Sequence, residues 1–238
     1  MSGPLAVVGD LHGQRRPLAE LVGKLRRRSD FQDRWIVFGG DFLDRGDDPC
    51  GTLDLVLELF DEHLLTTAVM GNHDLALAGA LGLVPAPAEA DWPRRYRQYY
   101  DSESTFQSYG VPPGDLEALA DAMPATHKDF IAGLPWAVEH PAYLIVHAGL
   151  LPEQPYLTQL ESLRRRDFSE GRPPWLFARN LSDKPNPPDC PLVTVSGHIA
   201  HPAVVINRHK ILVDTSGGYL RRLSGVLLPE GEILTGRG

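Results

Sequence analysis

Cysteine is nearly absent: Cys50 and Cys190 are the only two in 238 residues. Neither belongs to a CxxC pair or to a Cys/His zinc pattern, and their spacing gives no support to a disulfide between them. A reduced, cytoplasmic protein is the expectation. Long apolar runs are missing as well. No stretch is long enough to cross a bilayer, which excludes a membrane-spanning helix. The opening residues Met1 to Gly13 hold no basic segment followed by an apolar run, and no signal peptide is expected. Basic charge is in deficit, with 23 Lys and Arg against 31 Asp and Glu and a formal net charge of −8. That argues against nucleic acid as a partner, since a phosphate backbone wants a basic face. It leaves a phosphorylated substrate open, because local charge decides that.

Apolar residues are not in short supply. They make up 42% of the chain, enough for a full core in one α/β domain over residues 1–238. Leu5 to Val8, Trp35 to Phe38 and Thr66 to Met70 read as buried strands, each ending at glycine. Between them, Pro17 to Arg28 carries Leu18, Leu21, Val22 and Leu25 at helical spacing. Asp48 followed by Pro49 reads as the start of a second helix. Strand, helix, strand, helix, strand is the grammar of a parallel sheet. A helical insertion is expected at about 84–133. Its first part, Val84 to Gly114, is rich in Pro, Arg and Tyr and reads as one or two helices. Beyond Pro135 the chain turns strand-rich, with hairpins about Asn207 to Lys210 and Pro229 to Gly231.

Five polar motifs each follow an apolar strand: Gly9-Asp10-Leu11-His12-Gly13, Gly40-Asp41-Phe42-Leu43-Asp44-Arg45-Gly46, Gly71-Asn72-His73-Asp74, His147-Ala148-Gly149 and Gly197-His198. In an open α/β sheet, ligands sit beyond the carboxyl ends of the strands, so these five ends are expected to converge. Carboxylate, imidazole and amide oxygen together suit Mn, Fe or Zn. Asp10 and His12, two apart on an extended segment, can point to one side. Six candidate ligands are too many for one tetrahedral ion and suit two ions sharing a carboxylate, about 3.5–4 Å apart.

These motifs, in this order, resemble the phosphoprotein-phosphatase family of binuclear metallophosphoesterases, from Leu5 to about Leu228. Smaller bacterial members also resemble the chain at Ser104 to Gly110, Asp129 to Pro135 and Val213 to Gly218. The resemblance implies a calcineurin-like α/β fold with two central β-sheets flanked by helices. It implies that Asp10 and His12 bind one metal, that Asp41 bridges, and that Asn72, His147 and His198 bind the second, with Mn the expected ion and Fe or Zn the alternatives. It assigns Arg45 to the phosphate oxygens and His73, oriented by Asp44, to protonating the leaving oxygen. Trp175 to Arg179 resembles the segment that supplies a second phosphate-binding arginine, Arg179. The implied reaction is phosphate ester hydrolysis by a metal-bridging hydroxide.

The expected substrate is phosphoserine or phosphothreonine in proteins, with phosphorylated small molecules also in the class. The alternative is symmetrical hydrolysis of bis(5'-nucleosyl) tetraphosphates. That related branch usually lacks the aspartate that stands here as Asp44. The chain also shows no clear basic groove, so phosphopeptides are expected to be turned over better than the tetraphosphate. Tyr96, Tyr99 and Tyr100 could pack on a peptide or stack on adenine. Two readings stay open for Asp74, a helix cap or an aid to the metals, and two for Asp214, a partner of a ligating histidine or a turn residue. His63, His127, His140, His201 and His209, and the runs Arg26 to Arg28 and Arg164 to Arg166, read as structural or solvated.

Overall fold

Strand β1 (Leu5–Val8) is buried along its whole length in the computed structural model, which describes residues 1–238. It lies between β2 (Trp35–Phe38), parallel to it, and β9 (Arg222–Leu228), antiparallel to it. Strand β3 (Thr66–Ala68) adds in parallel beyond β2, and β10 (Glu232–Arg237) closes a hairpin on β9. A second five-stranded sheet runs in the order β4 (Ala137–Glu139), β5 (Tyr143–Val146), β6 (Val193–Ser196), β8 (Lys210–Leu212), β7 (Val205–Ile206). Within it β5, β6 and β8 are parallel, while the edge strands are antiparallel.

Alternation along each strand explains why these segments are apolar throughout. Leu5, Val7, Val37, Val226 and Leu228 join Val138, Ile145, Val195 and Ile211 of the second sheet in one apolar layer. Ala6, Val8, Ile36 and Phe38 point the other way, into a larger core shared with the helices. Helix α1 (Arg15–Arg26) starts two residues before the sequence suggests and buries Leu18, Leu21, Val22 and Leu25. Helix α2 (Pro49–Glu62) is capped as expected, with Asp48 accepting from Gly51 N at 2.9 Å.

After α3 (Asn72–Ala80) come α4 (Trp92–Tyr99) and α5 (Glu103–Ser108), the two helices of the Arg- and Tyr-rich stretch. Two more follow, α6 (Leu116–Ala122) and α7 (Ala125–Gly133). Helix α4 sinks Trp92 and Tyr96 into the core beside α3. Helices α8 (Tyr156–Arg165) and α9 (Pro174–Phe177) lie between β5 and β6 in the chain. No helix is long and apolar enough to cross a membrane.

One consequence of this topology sets up the site. Strands β1, β2 and β3 are parallel, as are β5, β6 and β8. Each of the first five of these strands that ends before a polar motif delivers it at its carboxyl end, and β8 leads into Val213 and Asp214. At β1's other end, buried Arg34 donates to Leu5 O and Leu228 O and pairs with Asp30 and Glu230.

Candidate metal centre

The loop after β1 is laced to the loop after β2 by main-chain bonds. Leu11 N and His12 N both donate to Asp41 O, at 3.1 and 2.7 Å, and Gly13 N donates to Phe42 O. The geometry is costly. His12, Asp41, Asp44, Arg45 and His198 are five of the nine non-glycine residues with positive φ. Such residues cost about 1–3 kcal/mol each and persist where surrounding contacts over-determine them. Here the surrounding contacts include Asp74. Its carboxylate accepts from Gly71 N, which caps α3, and also from Asp41 N and Phe42 N, all within 2.9 Å. Burial, with Asp41 beside it, raises the Asp74 carboxyl to about 7. Asp74 is therefore both cap and brace.

Four imidazoles surround Asp41. Ligand atoms of His12, Asp41 and His73 lie within 4.8 Å of one another, and so do those of Asp41, His147 and His198. Asp41 thus belongs to both triads. His12 Nδ1 meets Leu43 O at 2.9 Å, leaving Nε2 turned 3.4 Å from Asp41 Oδ2. His147 Nδ1 meets Gly39 O at 2.8 Å, leaving Nε2 3.4 Å from the same oxygen. Asn72 Oδ1 joins the second group, 3.0 Å from His147 Nε2 and 2.8 Å from His198 Nδ1. Asp10 sits outside both triads. Its Oδ2 accepts from His198 N at 2.9 Å, and its Oδ1 is buried without a partner. Asp214 turns out to close its own turn, accepting from Ser216 N and Gly217 N, with its second oxygen unpartnered.

The electrostatics ask for cations. Burial and the neighbouring Asp214 push the Asp10 carboxyl well above its ordinary range. Burial would raise Asp41 too, but His147 and His73 outweigh it and hold that carboxyl well below its ordinary range. Burial disfavours a charged His147, yet Asp41 and Asp10 raise it to about 10. Burial and His147 lower His198 to about 3. One buried ligand-type atom, Asp10 Oδ1, has no hydrogen-bond partner. Unsatisfied buried polar atoms are costly, and a cation is what this mixed oxygen and nitrogen set would satisfy. The residues present fit a binuclear site. They are also packed to the limit. A Cβ added at Gly71 would stand 2.0 Å from Asp41 Oδ1, and one at Gly197 would stand 1.9 Å from Asp10 Oδ1.

Beside the cluster, His73 Nδ1 lies 2.7 Å from Asp44 Oδ2, with both side chains buried. Asp44 Oδ1 accepts from Tyr96 Oη and Thr105 Oγ1, each at 2.6 Å. Neither partner was singled out for this role from sequence. Tyr96 is wholly buried on Asp44, so it cannot be a stacking surface. Tyr100 is also buried, its ring edge-on to His73 with centroids 4.9 Å apart. Tyr99 remains exposed.

A cavity of about 740 Å³ opens over the cluster, lined among others by Arg45, Arg95, Arg172, Arg179, Tyr99 and Tyr219. Arg45 Nη1 lies 2.9 Å from both His12 Nε2 and Gly217 O, and its guanidinium faces the Tyr219 ring. Arg172 lies over Phe177. None of the four arginines pairs with a carboxylate, whereas Arg26, Arg28, Arg34 and Arg164 elsewhere do. The expectation of no basic groove is therefore corrected. Arg95 and Arg172 come from distant segments, and only folding brings them together. In the surface runs, Arg26, Arg28, Arg164 and Arg166 are occupied by ion pairs and a carbonyl.

Known proteins share this architecture. The model of the calcineurin-like phosphoesterases matches residues 3–223. Among curated relatives, the symmetrical bis(5'-nucleosyl)-tetraphosphatase of Bordetella parapertussis is 28% identical over 63% of this chain and 45% of its own length. That of Vibrio cholerae is 27% identical over 76% of this chain and 58% of its own length. The chain thus spans about half the length of these relatives. Of solved structures, a candidate diadenosine tetraphosphatase superposes with a TM-score of 0.63 at 23% identity, over 99% of this chain and 94% of that one. A serine/threonine phosphatase from Saccharomyces cerevisiae gives 0.60 at 17% identity, over 99% and 80%. These structures carry the two-sheet fold alone. With a family match across nearly all of the chain, over the strand ends that build the cluster, the protein belongs to the calcineurin-like phosphoesterases.

Proposed function

We propose that the protein hydrolyses a polyphosphate-bearing substrate, a dinucleoside tetraphosphate in class, at two divalent ions. The observation that carries this reading is the set of four arginines without acidic partners on one cavity, in a chain of net charge −8. One phosphoryl group is matched by two guanidinium forks, Arg45 and Arg179. Arg95 and Arg172 exceed that need and suit the phosphates farther along a chain. Exposed Tyr99 and Tyr219 offer ring faces to the bases. The names of the curated relatives support the same substrate class.

Asp10 and His12 would hold one ion, Asn72, His147 and His198 the other, and Asp41 both. When bound, the ions supply Lewis-acid charge to the phosphoryl group. Arg45 and Arg179 bind and orient its oxygens. Asp44, fixed by Tyr96 and Thr105, accepts from His73 Nδ1 and so directs Nε2 into the cavity. His73 delivers a proton from Nε2 to the leaving oxygen.

That same dyad favours a second reading, phosphoserine or phosphothreonine hydrolysis. A departing alkoxide needs a proton more than a departing nucleoside diphosphate does. The test compares kcat/KM of the Mn-loaded protein on diadenosine tetraphosphate and on a phosphoserine peptide. The proposal expects the nucleotide to be preferred, with two diphosphate products. Preference for the peptide would install the second reading instead.

A further inference from the structure

Away from the catalytic cluster, α2, α5 and α7 bring together a second set of metal-type donors. Cys50 and Asp54 lie four apart on α2, on one helix face. His127, in the first turn of α7, faces them and is 2% exposed. Its Nε2 is 3.1 Å from Asp54 Oδ1. The ligand atoms of Cys50, Asp54 and His127 all lie within 4.8 Å of one another. Tyr109, at the end of α5, meets His127 Nδ1 at 2.7 Å. That contact fixes the ring with Nε2 toward the carboxylate, as partners of metal-ligating histidines do.

We infer that Cys50, Asp54 and His127 form a separate binding site for a zinc-class divalent ion, linking α2 to α7. Thiolate, imidazole and carboxylate are the donors that zinc takes, at about 2.0–2.3 Å, in tetrahedral geometry. Such a geometry sets ligand atoms roughly 3.3–3.8 Å apart. The 3.1 Å between Asp54 Oδ1 and His127 Nε2 falls just short of that range, so binding must spread this pair slightly and bring in Cys50, partly buried in the first turn of α2. Solvent reaches the site past exposed Asp54, so water can supply the fourth ligand. Binding releases the Cys50 thiol proton, and any proton on His127 Nε2, to solvent. No electron moves.

The site has a signature that the catalytic cluster cannot give, because none of Asp10, His12, Asp41, Asn72, His147 and His198 supplies sulfur. The full-length protein is stripped with a chelator under reducing conditions and titrated with Co²⁺ alone. A near-ultraviolet thiolate-to-cobalt charge-transfer band is expected, together with one bound ion more than the catalytic pair. Zn²⁺ should abolish the band by displacing cobalt. Cys50→Ser should remove the band and one ion, and Cys190→Ser should leave both in place. The conservative variant Asp54→Asn, at an exposed position, should weaken Co²⁺ binding at least tenfold. No band at saturating Co²⁺, a band surviving Cys50→Ser, or a band lost in Cys190→Ser overturns the inference.

Discussion

The two sheets contribute to the centre in different ways. The first delivers Asp10, His12, Asp41 and Asn72, and its loops brace one another through Asp41 O and the Asp74 carboxylate. The second delivers His147 and His198, and these lean on the first: His147 on Gly39 O, His198 on Asp10 and Asn72. One side is self-supporting and the other is registered against it. The centre is thus part of what aligns the two layers, and damage to the first sheet's loops should spread farther than equal damage to the second's.

The largest effect should come from Asp41→Asn, since Asp41 belongs to both triads. Both ions should be lost and turnover with them, whereas His198→Asn should retain one ion. Metal analysis decides, and full occupancy in Asp41→Asn would falsify the bridging role. Next comes His73→Asn, which should keep the ions and slow hydrolysis of alkyl phosphates by roughly 10²–10⁴-fold. Nitrophenyl phosphate, with its good leaving group, should lose less. Equal losses on both would argue against proton donation.

Asp74→Asn tests the brace itself. An amide sets N–H against N–H at one of three bonds, so metal affinity should fall about 10–100-fold without any ligand being touched. Unchanged affinity by metal titration would mean that the first sheet's loops hold without it. Smaller still, Arg95→Ala and Arg172→Ala should each raise KM for the tetraphosphate roughly three- to tenfold and leave a simple monoester unaffected. An equal rise on both substrates would place them at the scissile phosphate instead.

The smallest effect lies at the opposite end of the first sheet. Hydrogen bonds from Arg34 hold Asp30 and Glu230 below their ordinary values of 3.8 and 4.5. The folded state binds fewer protons there, so this stabilisation is complete above those values and lost as pH falls through the lowered ones. Glu230→Gln should flatten the acid side of a Tm-against-pH curve slightly. A curve identical to that of the unaltered protein below pH 4.5 would deny the linkage.

The parallel strands, their glycine ends and the six ligand-type residues were legible because each is a local pattern. An apolar run of four residues followed by Gly and Asp carries its meaning within one segment. What escaped depends on chain reversal. Tyr96 and Thr105 reach Asp44 across 52 and 61 positions, and no periodicity marks either as its partner. Arg95, Arg172 and Tyr219 reach one cavity from three segments, which is why overall acidity misled the reading of the groove. Asp54 and His127 are 73 positions apart, far outside any local cysteine and histidine spacing. Conversely, Asp48 and Pro49 announced a helix start because capping is a contact between near neighbours.

The close approach at Gly71 and Gly197 gives the chain an inconspicuous way to fall silent. Neither residue offers a side chain to a metal, yet one added carbon at either would displace an aspartate. A descendant carrying alanine there would display every ligand-type residue, with the cluster they form expected to be broken. Among relatives, an intact ligand set is therefore an insufficient mark of a living enzyme. The two hydrogens at those Cα atoms belong in the diagnosis, because they reserve the volume in which the carboxylates stand.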